Sequence, residues 1–318
     1  MTQTHLQHER PTEPLVARGN GANQPTMPHK KPEKIKRLRY LLSRTALRVP
    51  LYWARHLNLR STDIFLGSYP RSGSTWSRFV LYELLTGREA GFDAVNTTLR
   101  GVQRMAHGIP VLPNSGRLVG SHEQYSRKYR RAMYLVRDCR DVVLSEYAYL
   151  KSLGFFREDF DQFIAAFVGT QGRINGFGPW QEHVNSWLNS PIAGTSDFLL
   201  VQFEDLRRNP EDSFERICDF LGVRVKREAI QTALANNSLA RMREKELRSP
   251  QLPTGKESFV RTGSVQGWRG KLTQSQLDLI EQHAGSVLAS LGYTTGTVSQ
   301  ETASGDLADH APLGKHLR

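Results

Sequence analysis

The sequence predicts a single α/β domain, P-loop-like, with a central, mainly parallel sheet flanked by helices on both faces. Three observations predict it. Residues 63–67 form a short apolar run closed by Gly67; a Ser/Gly/Thr-rich turn follows, and then Trp76, Phe79, Val80, Leu81, Leu84 and Leu85 recur at helical spacing. Three further apolar runs, at 117–122, 132–137 and 198–203, alternate with helical patterns and end in polar residues, as strands of a parallel sheet do when ligands gather beyond their carboxyl ends. With 318 residues of ordinary composition, the chain can bury the core of one large domain with tails.

In chain order, residues 1–31 are rich in Gln, Thr, Pro, Gly, Asn and His and read as a disordered tail. Residues 32–60 carry Ile35, Leu38, Leu41, Leu42 and Val49 on one helical face among Lys34, Lys36, Arg37, Arg39, Arg44 and Arg48, with Pro50 interrupting the pattern. Such a basic amphipathic helix either packs on the domain or lies on a membrane. The domain itself spans 61–293. Residues 87–116 lack periodicity and read as a covering loop. Helical patterns follow at 142–152, 160–168, 180–188, after Asn209-Pro210, near 227–236 and from Thr273 to Gly292. Residues 243–270 are polar, basic and glycine-rich, like a lid, and 294–318 read as a second disordered tail.

Charge is uneven along the chain. The first sixty residues hold 12 Lys/Arg against 3 Asp/Glu, which accounts for most of the formal +12. The near-balanced body offers no broad basic stripe, so nucleic acid is not an expected partner. Two cysteines, Cys139 and Cys218, lie far apart and outside any C-x-x-C pattern, which argues against a zinc site or a disulfide framework and suits a reducing compartment. No apolar run approaches the length of a membrane span, and Pro11, Pro14 and Pro25 stand where a secretory signal would need its apolar stretch. A cytoplasmic protein is expected, with peripheral membrane contact through 32–60 left open; oligomeric state is not legible.

The turn after the first strand can hold a phosphate, because backbone N–H groups at a helix N-terminus meet an anion there and Arg71 adds a full charge. It is not a nucleotide-triphosphatase loop. Gly67 to Gly73 is one residue too long for G-x-x-x-x-G-K-[ST], and no lysine follows Gly73. A kinase would need that lysine and magnesium ligands. A non-catalytic anion- or nucleic-acid-binding protein would leave the polar strand ends without a purpose.

Residues 69–76, Tyr-Pro-Arg-Ser-Gly-Ser-Thr-Trp, resemble the 5′-phosphosulfate loop of the cytosolic-type sulfotransferase family, usually Y-P-K-S-G-T-T-W. Residues 134–145 resemble its 3′-phosphate motif; Phe203-Glu-Asp-Leu with Asn209-Pro210 resembles Y-E-D-L…N-P; Arg261-Thr-Gly with Gly267-Trp268 resembles R-K-G…G-x-W. These motifs run in the family order from about 62 to 293. The resemblance implies 3′-phosphoadenosine-5′-phosphosulfate (PAPS) as co-substrate, no metal, and sulfuryl transfer to a hydroxyl, less often an amine, of a small-molecule, carbohydrate or lipid acceptor.

Carried over residue by residue, the resemblance implies that Arg71 stabilises the leaving group, while Ser72, Gly73, Ser74 and Thr75 hold the 5′-phosphate. Arg137, Ser145, Arg261, Thr262 and Gly263 fall at the 3′-phosphate and its lid, and Trp76, Phe203 and Ser238 at the adenosine. His122, in a segment similar to the family's K-T-H, is the implied base, a role its pKa range suits. A histidine at a strand end is otherwise usually structural, Trp76 could equally be core, and Glu123 could orient the His122 ring or replace it. Two departures matter: Arg71 stands for the usual loop lysine, and Gly120 for a lysine near the transferred group. The acceptor pocket is expected from 87–116, 146–180 and 240–260, without showing which acceptor it takes.

Overall fold

The computed structural model describes residues 45, 48–102, 108–156, 159–169, 174, 176–249 and 260–294; the two expected tails, apart from Thr294, and nearly all of 32–47, lie outside them. Four strands carry the fold: β1 (Ile64–Ser68), β2 (Leu118–Ser121), β3 (Ala132–Val136) and β4 (Phe198–Gln202). They pair in the order β2-β1-β3-β4, all parallel. Chain direction across the sheet reverses at β1, so the crevice beyond the carboxyl ends of β1 and β3 is where such a sheet binds ligands.

Alternation along β3 sorts its side chains to the two faces. Ala132, Tyr134 and Val136 join a core with Phe163, Phe167, Trp180, Trp187, Ile280 and Leu288, whereas Met133 and Leu135 join another with Phe79, Leu81, Phe92, Phe214 and Ile230. Naming helices in chain order from α1 (Arg48–Arg55), the second face is covered by α2 (Ser74–Thr86), α3 (Phe92–Thr98), α8 (Pro210–Phe220) and α9 (Arg227–Asn236). The first is covered by α4 (Cys139–Ser152), α5 (Phe160–Val168), α6 (Trp180–Leu188) and α11 (Gln274–Ser290). Trp187 lies flat on Tyr134, ring centroids 5.0 Å apart, and so close to β1 that a Cβ at Gly67 would meet its ring at 2.5 Å. Gly67 is therefore required by close packing.

At the opposite end of the sheet, a buried fork joins β1 to β2: Arg117 donates from Nε to Asp63 Oδ1 at 2.7 Å and from Nη2 to Asp63 Oδ2 at 2.5 Å. Five expectations are corrected. Pro50 does not end the helix described there: it sits in the first turn of α1, where its missing N–H costs nothing, and the upstream pattern at 35–47 lies, apart from Thr45, outside the described residues. The stretch 87–116 contains α3, whose seven residues are too few to show periodicity. Phe203 is no strand end but the first residue of α7 (Phe203–Arg208), and part of the lid-like 243–270 belongs to α10 (Leu239–Leu247). Finally, α4 begins at Cys139, three residues earlier than its apolar pattern, because Asp138 accepts the Arg140 N–H at 2.9 Å as its N-cap.

Candidate functional site

β1 delivers the loop and α2 receives it. Tyr69 is buried and donates through its hydroxyl to Gly178 O at 3.1 Å, which pins the loop's entry. Arg71 adopts φ 69° and Gly73 φ 97°, so the chain turns sharply before the helix. At Gly73 a Cβ would be strained and would also meet the Phe203 ring at 2.4 Å. The Ser72 N–H turns inward to Tyr69 O at 3.3 Å, and Ser72 does not line the cavity, contrary to its expected place on the phosphate. The first intrahelical bond, Ser77 N–H to Gly73 O at 3.1 Å, leaves the amides of Gly73, Ser74, Thr75 and Trp76 as the donors a helix start presents outward.

These residues open onto a cavity of about 390 Å3. Four arginines line it: Arg71, Arg137, Arg207 and Arg261. Arg71 donates from Nε to Ser145 Oγ at 3.1 Å and stacks on Tyr149, 4.8 Å from the ring centroid. Arg137 donates to Arg71 O at 3.2 Å and to Ser264 O at 2.9 Å, lies 4.6 Å over the Phe203 ring, and keeps a buried Nε with no acceptor in the protein. Arg261 donates to Leu144 O at 2.9 Å. Burial lowers the Arg71 pKa, and the neighbouring Arg261 and Arg137 charges add to this while Glu146 opposes it; the guanidinium stays protonated at neutral pH. Arg137 is buried with the Asp141 carboxylate 3.8 Å away, Arg71 is half-buried and Arg261 exposed, and a cluster of cations around one cavity suits an anion.

Phe203 is the hub of this end, since its ring touches the loop glycine, carries Arg137 and meets Trp76 edge-on with centroids 6.5 Å apart. Trp76 both packs half-buried against the second core and lines the cavity: its Nε1–H donates to Asn237 O at 3.0 Å, and one face of the ring carries Arg207 at 5.4 Å. Gly263 lines the cavity with φ 57°, and Thr262 beside it pairs with the Ser264 hydroxyl at 3.2 Å. Ser238 is exposed and outside the cavity wall, which Asn237 and Leu239 form instead.

His122 stands at the end of β2. Its Nδ1–H donates to Ser68 O at 2.8 Å, with Ser68 Oγ at 3.2 Å, which leaves the lone pair on Nε2. Burial, with the Arg78 and Arg71 charges, lowers its pKa below 6.5 despite the carbonyl it holds. The His122 carbonyl in turn accepts from His183 Nε2–H at 3.0 Å, and His183 Nδ1 accepts from the Tyr134 hydroxyl at 2.9 Å. Burial pushes His183 down to about 3, so it is a neutral brace. Glu123 does not orient the His122 ring: its carboxylate pairs with Arg55 at 2.7 Å. Gly120, at the usual lysine position, bridges to Gly101 and donates to Arg100 O at 3.1 Å.

Beyond Arg71 the wall turns apolar: Tyr149, Leu150, Leu153, Phe155 and Phe177. No described residue of 87–116 lines this cavity, so the pocket departs there from expectation. Glu146, Tyr149, Asn237, Arg207 and His183 were not singled out by sequence. Only the first two carried a signal, following Ser145 one and four places along the same helix.

The fold is thus a parallel α/β sheet with a basic cavity at its switch point, where such sheets bind ligands. The sulfotransferase domain family matches residues 61–292. Human sulfotransferase 2B1 is 28% identical over 244 residues, covering 71% of this chain and 66% of that protein, so the match falls just short of two thirds of its length. Mouse sulfotransferase 1 family member D1 is 24% identical, covering 74% of this chain and 88% of that protein. Among solved structures, mouse sulfotransferase SULT7A1 complexed with PAP superposes with a TM-score of 0.57 at 20% identity, covering 76% of this chain and 93% of the other. Retinol dehydratase in a complex with retinol and PAP gives 0.61 at 20% identity, covering 76% and 86%. The chain belongs to the sulfotransferase domain family.

Proposed function

We propose that the protein is a PAPS-dependent sulfotransferase whose acceptor is an alcohol, less readily an amine. The observation that carries this reading is the convergence of Arg71, Arg137 and Arg261 with the amino end of α2 on one cavity that His122 also lines. The residues fit the donor. The orphaned Arg137 Nε and the Gly73 turn, where any side chain would strike Phe203, are what a site shaped around an anion requires. The amides of Gly73 to Trp76 and the hydroxyls of Ser74 and Thr75 hold the 5′-phosphate. Arg137, Ser145 and Arg261 hold the 3′-phosphate, with Gly263 closing over it and Thr262 beside it. Trp76 and Phe203 wall the nucleoside.

When bound, PAPS supplies a sulfuryl group on a phosphate leaving group. Arg71 neutralises charge growing on that phosphate, as a preorganised cation does in a water-poor site. His122 Nε2 takes the acceptor's proton while Nδ1–H on Ser68 O keeps the ring in the accepting tautomer. With Gly120 in place of the usual lysine, the reading rests on Arg71 as the cation that serves the leaving group. The apolar wall of Leu150, Leu153, Phe155 and Phe177 suits a small lipid-like alcohol better than a carbohydrate. Retinol dehydratase, solved with androsterone or with retinol, shares the fold and supports that class.

Transfer of labelled sulfate from PAPS to a panel of apolar alcohols, with and without EDTA, tests the reaction. Activity unchanged by the chelator is expected; transfer from ATP that needs magnesium would overturn the reading in favour of a kinase. In the same assay His122→Ala should bind 3′-phosphoadenosine-5′-phosphate like the wild type, while kcat falls at least about a hundredfold. A wild-type kcat in that variant would remove His122 from the mechanism.

A further inference from the structure

We propose that α1 and the turn at 126–131 form one docking surface for an anionic lipid bilayer. Val49, Trp53 and Leu57, spaced by four, leave 53%, 58% and 60% of their surface exposed, a continuous apolar stripe along the helix and its C-terminal turn. Isolated exposed apolar residues need no explanation, but a helical stripe containing tryptophan does. The stripe is held rigidly. His56 is buried against Tyr129, Nε2 to the hydroxyl at 2.6 Å, and Arg55 pairs with Glu123. Its exposure is thus built into the domain.

Charge selects the occupant. Lys128 lies 5.1 Å over the Trp53 ring and donates to His56 O at 3.4 Å, so the folded body itself puts a cation on the rim of the stripe. Arg127 and Arg130, exposed on the same turn, flank it. Residues 45–60 contain no acidic side chain, and the carboxylate that reaches α1, Glu123, is already paired. Immediately upstream the sequence adds Lys30, Lys31, Lys34, Lys36, Arg37, Arg39 and Arg44. An apolar stripe with tryptophan, with Lys128 on its rim and Arg127 and Arg130 on the same turn, complements a headgroup layer with acyl chains below it. Among the described residues no helix is long and apolar enough to cross a membrane, so the contact is to the surface.

The test is sedimentation of the full chain with vesicles of phosphatidylcholine alone and with about 30% phosphatidylserine, at low and high salt. Binding confined to the anionic vesicles and released by salt is expected. The triple variant Val49→Ser, Trp53→Ser, Leu57→Ser, whose thermal midpoint should stay near wild type because these side chains are exposed, should bind at least about tenfold more weakly. Arg127→Glu with Lys128→Glu should lose a similar factor and serves if the triple variant does not fold. No binding to anionic vesicles overturns the proposal. So does binding that both variants retain, since the upstream basic residues would then suffice. Concentration-dependent dimerisation abolished by the triple substitution also overturns it, the occupant then being a second copy.

Discussion

At the residue scale the site turns on two histidines with opposite duties. His122 offers Nε2 because Nδ1–H is committed to Ser68 O, and its lowered pKa keeps that atom unprotonated at neutral pH. Protonation removes the base only as pH falls through the lowered value, so the acid limb of kcat/KM should have its midpoint below 6.5. A limb at or above 6.5 would show that another group titrates. His183 adds a separate acid sensitivity. Its pKa of about 3 in the folded state lies below the usual 6.5, so the unfolded chain binds the extra proton and stability declines as pH drops from 6.5 toward 3. By the same linkage the lowered pKa values of His122 and His56 add to this decline in the melting midpoint, so it is the rate profile that isolates His122. The thiols take no part: burial pushes Cys218 up to about 12 and Cys139 well above its ordinary value. Sequence alone could select His122 by its place among ordered motifs, but not its tautomer. That depends on Ser68, 54 positions away, and on a neighbouring strand whose register only the assembled sheet defines.

At the scale of elements, long periodic segments were legible and short or capped ones were not. The helices at 160–168 and 180–188 stand where their apolar spacing put them, since each buries a face: Phe163, Ile164 and Phe167 in one, Val184 and Trp187 in the other. α3 and α7, seven and six residues long, show less than two turns of pattern, and α4 starts on a cap instead of on an apolar residue. The Asp63–Arg117 fork was invisible for a related reason: partners 54 residues apart meet only once β1 and β2 pair. Because both side chains are buried, Arg117→Ala strands a carboxylate at the foot of the sheet and should cost about 3–5 kcal/mol of stability. The fork lies at the end of the strands opposite the cavity, so donor-product affinity of the surviving folded protein should stay within about twofold of wild type. Chemical denaturation and calorimetry check the two halves; an affinity loss as large as the stability loss would mean that the damage travels along β1 to the loop that follows it.

Across the whole molecule, formal charge gathers in the first sixty residues, whereas the anion site belongs to a body of nearly balanced charge. Its positive field is made locally, by drawing arginines from distant segments into one crevice: Arg71 after β1, Arg137 after β3, and Arg261 between α10 and α11. A ligand that bridges them ties together parts of the chain nearly two hundred residues apart, so binding should stabilise the fold as a unit. At a hundredfold excess over Kd, 3′-phosphoadenosine-5′-phosphate should add about 2.7 kcal/mol, which for a domain of this size is a rise of about 5–11 °C in Tm. Arg137→Ala deletes the donor to Arg71 O and Ser264 O, so the ligand-free protein should also melt lower. The decisive quantity is therefore the increment on adding ligand at a fixed concentration, which should shrink to a small fraction of the wild-type value. Sodium sulfate at matched ionic strength should give neither protein the same increment, because one anion cannot span both ends of the crevice. An undiminished increment in Arg137→Ala would place the 3′-phosphate elsewhere and leave the three-arginine cradle without its ligand.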